Sequence, residues 1–253
     1  MTTIDPEDLY REVFTKAVRS FWSTRALQAQ KQVDAGKTDA GTRGEVTGGA
    51  HLHAMAELVE TIFVDAGIPK HQVRRSGRLN LPGYYRATKN WDLLVIDGDR
   101  LVAAIEFKSQ VGSFGNNFNN RTEEAIGNAT DLWRAYRAGL LGSIKPWVGF
   151  MMFLEEAPGS TKPVQIPAMT FPHDPAFGDA PSYKKRYELL LDRLYRDDLY
   201  NAGCLFTSSA DPEAPIHEPV AELSFQNFAA AIKGRATQVL NMDPSSAPGD
   251  QLF

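Results

Sequence analysis

The stretch NWDLLVIDGDRLVAAIEFKSQVGSFG, Asn90 to Gly115, decides how this chain folds. Two apolar runs, Trp91 to Ile96 and Leu101 to Ser109, flank the turn pair Asp97-Gly98 and read as a β-hairpin. Side chains on a strand alternate faces, so Glu106 and Lys108 share one face and Phe107 takes the other. Ala104 lies on the Glu106 face and leaves room beside it. Charged side chains at the end of an apolar strand cost free energy unless something compensates, and a metal ion does so. Asp92 joins them in one register only, because opposed residues of an antiparallel pair share a face. A three-residue loop, Gly98 to Arg100, sets Asp92 opposite Glu106. A two-residue loop, Gly98-Asp99, sets it opposite Ile105. If the three charged residues form one site, the hairpin has an odd loop or a bulge.

Outward from the hairpin, the pattern alternates between strands and helices. Apolar residues recur at three and four from Asp5 to about Gln32, with Asp5 as cap and Pro6 at the first helical position. Residues 34 to 50 are rich in Gly, Thr and Asp and read as a long loop. A second helix is predicted from about Ala50 to Ala66, stopped by Gly67 and Pro69. The segment before the hairpin reads as one strand plus irregular chain. After it, Gln110 to Asn120 reads as a polar loop, followed by a helix from Thr122, its cap, to about Ala138. Trp147 to Leu154 is a buried strand, 155 to 181 a proline-rich excursion, Tyr183 to Tyr200 a helix, Cys204 to Thr207 a short strand and Leu223 to Leu240 a last helix. The fold class is α/β or α+β, a mixed sheet flanked by helices. The chain reads as one domain, 1–253: N-terminal helices over 1–66, core sheet and helix over 67–154, C-terminal helices and the excursion over 155–253.

Composition sets limits. The 253 residues carry a net charge of −4 and one cysteine, Cys204, so no internal disulfide forms and the cytoplasm fits best. No apolar run reaches the length of a membrane span, and the acidic, polar N-terminus is not a signal peptide. The acidic balance is uneven: between Gly67 and Trp91 there is no Asp or Glu, yet the segment holds Lys70, Arg74, Arg75, Arg78, Arg86 and Lys89. That is either a solvated face or a surface for phosphates.

Asp92, Glu106 and the backbone carbonyl of Phe107, completed by water, make a hard oxygen site suited to Mg²⁺. Lys108 beside it orients an attacking water and stabilises a pentavalent phosphorus. This is the logic of metal-assisted phosphodiester hydrolysis. The spacing D-(x13)-E-x-K is that of the PD-(D/E)xK nucleases, though the three letters alone also fit an ion pair on an edge strand. The flanks are more specific. TRGEVTGGAHL, YYRATKNWDLLV and SQVGSFGNNFNNRTEEAIGNATDLWRAYRAG resemble the XhoI family of type II restriction endonucleases over about residues 40 to 140. One departure is Trp91, where the superfamily pattern has proline.

The resemblance implies a restriction-endonuclease-like core and a Mg²⁺-dependent homodimer that cuts double-stranded DNA at the palindrome CTCGAG, with a cognate DNA methyltransferase in the same system. It implies Asp92 and Glu106 as metal ligands and Lys108 as the catalytic lysine. A further glutamate from an earlier helix is expected, Glu57 preferred over Glu60; an ordinary exposed helix glutamate is the alternative for both. Palindromy calls for a two-fold protein. Reading bases needs amides and arginines, and Gln110, Asn116, Asn117, Asn119, Asn120 and Arg121 supply them in a loop whose glycines allow close approach. Lys37 and Arg43 in the Gly-rich loop, with Arg86 and Lys89, are candidate DNA contacts. Lys184, Lys185 and Arg186 read as a solvated helix face, and His51 and His53 as a helix start rather than a zinc pair. The amide loop and the excursion are expected to order on DNA. Two other readings remain: a structure-specific repair or junction nuclease, and a DNA-binding module that has lost its chemistry.

Overall fold

The computed structural model describes residues 6–34 and 52–242. The expected positions Lys37 and Arg43 lie outside the described residues. Among the described residues, seven strands and six α-helices follow in chain order: α1 Pro6–Asp34, α2 His53–Asp65, β1 Val73–Arg74, β2 Asn80–Pro82, β3 Thr88–Asn90, β4 Leu93–Asp97, β5 Arg100–Gln110, α3 Phe114–Arg137, β6 Trp147–Glu155, α4 Pro158–Thr161, α5 Tyr183–Arg196, β7 Ala202–Ser208 and α6 Phe225–Leu240. Five strands form one mixed sheet in the order β1-β4-β5-β6-β7, antiparallel from β1 to β5 and parallel from β5 to β7. The mixed α/β architecture expected from the sequence is the one observed.

The sheet is buried on both faces, which is why β5, β6 and β7 are nearly continuous apolar runs. On one face, α1, α2 and α6 bring Phe14, Phe21, Ile62, Phe63 and Phe228 against Ile105, Phe107, Met151 and Phe153. On the other, α3 and α5 bring Leu132, Tyr187 and Leu191 against Leu94, Ala104, Phe150 and Met152. Among the described residues no helix is long and apolar enough to cross a membrane.

The hairpin answers the register question with a bulge. Its loop is the two-residue one: Asp97 pairs with Arg100 and Ile96 with Leu101, and Gly98 takes φ +60° as a tight hairpin demands of its first loop residue. The ladder then skips a residue, and Val95 pairs with Ala103, Leu94 with Ala104 and Leu93 with Ile105. Val102 is the extra residue. Its side chain and that of Ala103 fall in the same core, on the α1/α2/α6 face, whereas Leu101 and Ala104 lie on the α3/α5 face. One bulge thus reverses the alternation and sends Glu106 and Lys108 to the α3/α5 face. Continued one step, the register sets Asp92 beside Glu106.

Three local expectations are corrected. The segment before the hairpin holds three short strands rather than one, and two of them, β2 and β3, form a separate antiparallel arm. The polar stretch after β5 is helical. α3 starts at Phe114, eight residues before Thr122, whose hydroxyl donates to the Phe118 carbonyl in mid-helix at 3.0 Å. No side chain caps this start; Gly112 and Ser113 instead turn the chain at positive φ, a geometry that composition alone does not signal. The excursion over 155–181 contains α4 and a 3-10 turn at Pro175–Phe177, tied to α5 by Asp174 and Arg193 at 2.7 Å.

Candidate active site

Asp92 stands just ahead of β4, where the ladder has ended. Its Oδ2 accepts the Phe107 amide at 2.8 Å, so the carboxylate caps the strand edge that β4 leaves open. In a strand the N–H and C=O of one residue point to the same side. The Phe107 carbonyl therefore faces Asp92 as well.

Glu106 is 1% exposed. Lys108 reaches its Oε1 at 2.6 Å and Lys89 its Oε2 at 2.9 Å. Burial pushes the Asp92 carboxyl up to about 6, with the charge of Glu106 adding to the shift. Burial works against the charge of Lys108, but Glu106 and Asp92 outweigh it and raise the pKa, so the ammonium keeps its proton. Two carboxylates in each other's field and a carbonyl aimed the same way fit a hard divalent cation. Among the described residues no group of three or more His, Cys, Asp or Glu could hold a metal ion, so water and substrate oxygens would complete the shell.

A cleft of about 510 Å³ opens beside Asp92 and Phe107, between α2 and the segment 73–79. Its wall includes Glu60, 8% exposed and ion-paired with Arg75, and His53 at the helix start. Glu57, the glutamate preferred from sequence, is exposed and does not line the cleft. Residues 48–49, on which the preference for Glu57 rested, lie outside the described residues; on α2 it is the Glu60 side chain that meets Arg75.

The amides are corrected in kind as well as place. Gln110 is 3% exposed and donates to the Gly112 carbonyl, which ties down the β5–α3 link and keeps it from the surface. Asn116, Asn119 and Asn120 are exposed on the first turns of α3, and Asn117 is half-buried. Arg121 pairs with Glu124, which itself comes within 3.8 Å of Lys108. The amides therefore stand on a helix anchored to β5. Lys184 and Lys185 pair with Glu156 and Glu188, and Arg186 lies over the Tyr183 ring, as a solvated face does.

Arg86 is not a free phosphate contact here. It donates to Asp131 at 2.9 Å and Asn128 at 2.8 Å, while the Tyr84 and Tyr85 amides both donate to the other Asp131 oxygen at 2.8 Å. Burial alone would raise the Asp131 pKa; its three donors and the Arg86 charge hold it below the usual carboxylate range. The β2–β3 turn is pinned to α3 in this way. Gly83 allows it, because a Cβ there would meet the Arg86 carbonyl at 2.5 Å and Asp131 at 2.6 Å. Asp131→Ala strands two amides and is expected to cost about 2–3 kcal/mol. Asp131→Asn, which keeps an acceptor for them, costs less; chemical denaturation of the pair checks the ranking.

Sequence reasoning placed Lys89 on DNA, not on Glu106, and gave no role to Asp131 or to Arg235, the α6 residue that reaches the bulge. Only Lys89 left a trace: it shares strand parity with Trp91, which leads into Asp92.

A family described as restriction endonuclease XhoI matches residues 31–215. The type II restriction enzyme BstVI of Geobacillus stearothermophilus is 46% identical over 177 residues, 67% of this chain and 79% of that one. AbrI of Azospirillum brasilense is 48% identical over 167 residues, 65% of this chain and 73% of its own. XhoI of Xanthomonas vasicola is 43% identical over 189 residues, 73% of this chain and 75% of its own. No solved structure matches the chain. This chain belongs to the XhoI family of restriction endonucleases.

Proposed function

We propose that this chain cleaves double-stranded DNA at the palindrome CTCGAG, as a Mg²⁺-dependent homodimer whose host protects the site with a cognate methyltransferase. The enzyme class, a type II restriction enzyme, comes with the family; the site, the metal and the residue roles are inferred. The observation that carries the chemistry is the bulged hairpin. It brings Asp92 to the Phe107 amide and Glu106 to Lys108 at one strand end.

Asp92, Glu106 and the Phe107 carbonyl would hold the cation. When bound, Mg²⁺ lowers the pKa of a coordinated water and offsets charge on the scissile phosphate. Lys108, kept protonated by its neighbours, orients the attacking water and stabilises the charge that develops on the non-bridging oxygens. Glu60 lines the same cleft as Asp92 and is the candidate auxiliary carboxylate in preference to Glu57. Asn116, Asn119 and Asn120 project from one end of a helix, a form that the major groove admits, and their amides suit adenine edges. The cleft arginines Arg74 and Arg75 suit the backbone.

A plasmid with one CTCGAG site tests the reading. One linear product that maps to that site, forms with Mg²⁺ and disappears with EDTA is the expected result. Discrete bands mapping elsewhere would remove the assigned sequence and leave the chemistry. Cutting that follows junctions or mismatches rather than sequence would favour a repair nuclease.

A further inference from the structure

We propose that Lys89 is a second active-site lysine, the resident cation of Glu106 in the metal-free enzyme, which a divalent metal must displace. This rests on the reading of Asp92 and Glu106 as metal ligands.

The geometry is specific. Glu106 is 1% exposed, and a buried carboxylate without a counter-charge is costly. Each of its oxygens carries one ammonium, Lys108 on Oε1 and Lys89 on Oε2. The two lysines differ in origin. Lys108 is on the same strand as Glu106, two residues on, and also lies near Glu124. Lys89 comes from the β2–β3 arm, and its side chain is 15% exposed. It is held where it is: Nζ donates to the Asn90 carbonyl at 2.5 Å and lies 5.1 Å from the centre of the Trp91 ring.

Trp91 explains why the arm can do this. It stands where the superfamily pattern has proline, and its amide donates to the Leu79 carbonyl at 2.9 Å, a bond that proline cannot make. Its ring is buried and gives Lys89 an aromatic surface. The far end of the arm is fixed to α3 by Asp131. Lys89 is thus delivered to Glu106 by an arm tied at both ends.

The consequence is a competition. With both lysines in place, the two carboxylates are balanced and the site forms without metal. A dication then gains Glu106 only against an ammonium already on it. Lys108 is wanted for the phosphate and the water, so Lys89 is the one to leave. Its departure raises the Mg²⁺ concentration that the enzyme requires.

The test is Mg²⁺ binding to the whole protein without DNA, by calorimetry and by the Mg²⁺-induced rise in melting temperature. Lys89→Met should bind Mg²⁺ about tenfold more tightly, as expected from the loss of one nearby positive charge. It should melt lower without metal and gain more from Mg²⁺ than the wild type. Lys89→Arg, which keeps the charge, should stay near wild-type affinity. Unchanged or weaker Mg²⁺ binding by a folded Lys89→Met overturns the proposal. The control for the underlying reading is Glu106→Gln: if it binds Mg²⁺ like the wild type, the metal site itself is misassigned. If Glu106→Gln loses Mg²⁺ while Lys89→Met is unchanged, only the role of Lys89 fails.

Discussion

Glu106→Gln is expected to abolish cleavage while leaving the fold in place. The carboxylate is the most buried acid of the site and bears both lysines. The amide keeps its size but removes the charge that a dication needs, and leaves Lys89 and Lys108 beside a neutral partner. Loss of a ligand to a metal that activates water and offsets phosphate charge is expected to lower the cleavage rate by about 10⁴-fold, roughly 5 kcal/mol of transition-state stabilisation. DNA binding should survive, because the amides of α3 and the cleft arginines do not depend on Glu106. The check is a single-turnover digest beside a gel-shift titration. A rate within tenfold of wild type would remove Glu106 from the chemistry; loss of both cleavage and DNA binding would point to a folding defect and call for a melting curve.

Arg235→Met is expected to be strongly destabilising, although it lies outside the site. Arg235 is 6% exposed on α6, and its hydrogen-bond partners are all neutral. Its Nε donates to the Val102 carbonyl at 3.1 Å, one amino group donates to the Lys145 carbonyl at 2.8 Å, and the other to the Gln238 side chain at 2.7 Å. A bulge leaves a strand residue outside the ladder, and here the guanidinium supplies the missing donor. Methionine fills part of the volume but leaves buried carbonyls unpaired. The expected loss is about 3 kcal/mol, or a melting temperature lower by roughly 6–12 °C in a chain of this size. The bulge also sets which face Glu106 occupies, so residual folded Arg235→Met should bind Mg²⁺ more weakly than wild type. Calorimetric melting with and without Mg²⁺ separates the two effects; a stable variant with normal metal binding would show that the bulge holds without Arg235.

Much of the site was legible in one dimension because it depends on local periodicity. Strand alternation put Glu106 and Lys108 on one face, and the requirement that Asp92 join them called for a bulge or an odd loop; the bulge is there. The amphipathic runs of α2, α5 and α6 and the apolar runs of β6 and β7 were visible for the same reason. The flanking motifs carried the family.

What escaped depends on contacts between distant segments. The amide stretch after β5 is rich in Gly and Asn, so its propensity points to a loop; packing of Phe114 and Phe118 beside Tyr183 and Tyr187 makes it helix. The partner of Glu60 is Arg75, 15 residues on, and the fate of Arg86 turned on Asp131, 45 residues away in the chain. Lys89 meets Glu106 across 17 residues because an arm pinned to α3 delivers it there. Sequence by itself determined the hairpin, the face that Glu106 and Lys108 share and the family, since each rests on short-range spacing. Tertiary structure alone decided which buried charge meets which partner, because desolvation makes every such charge find one, and chain order does not say where it waits.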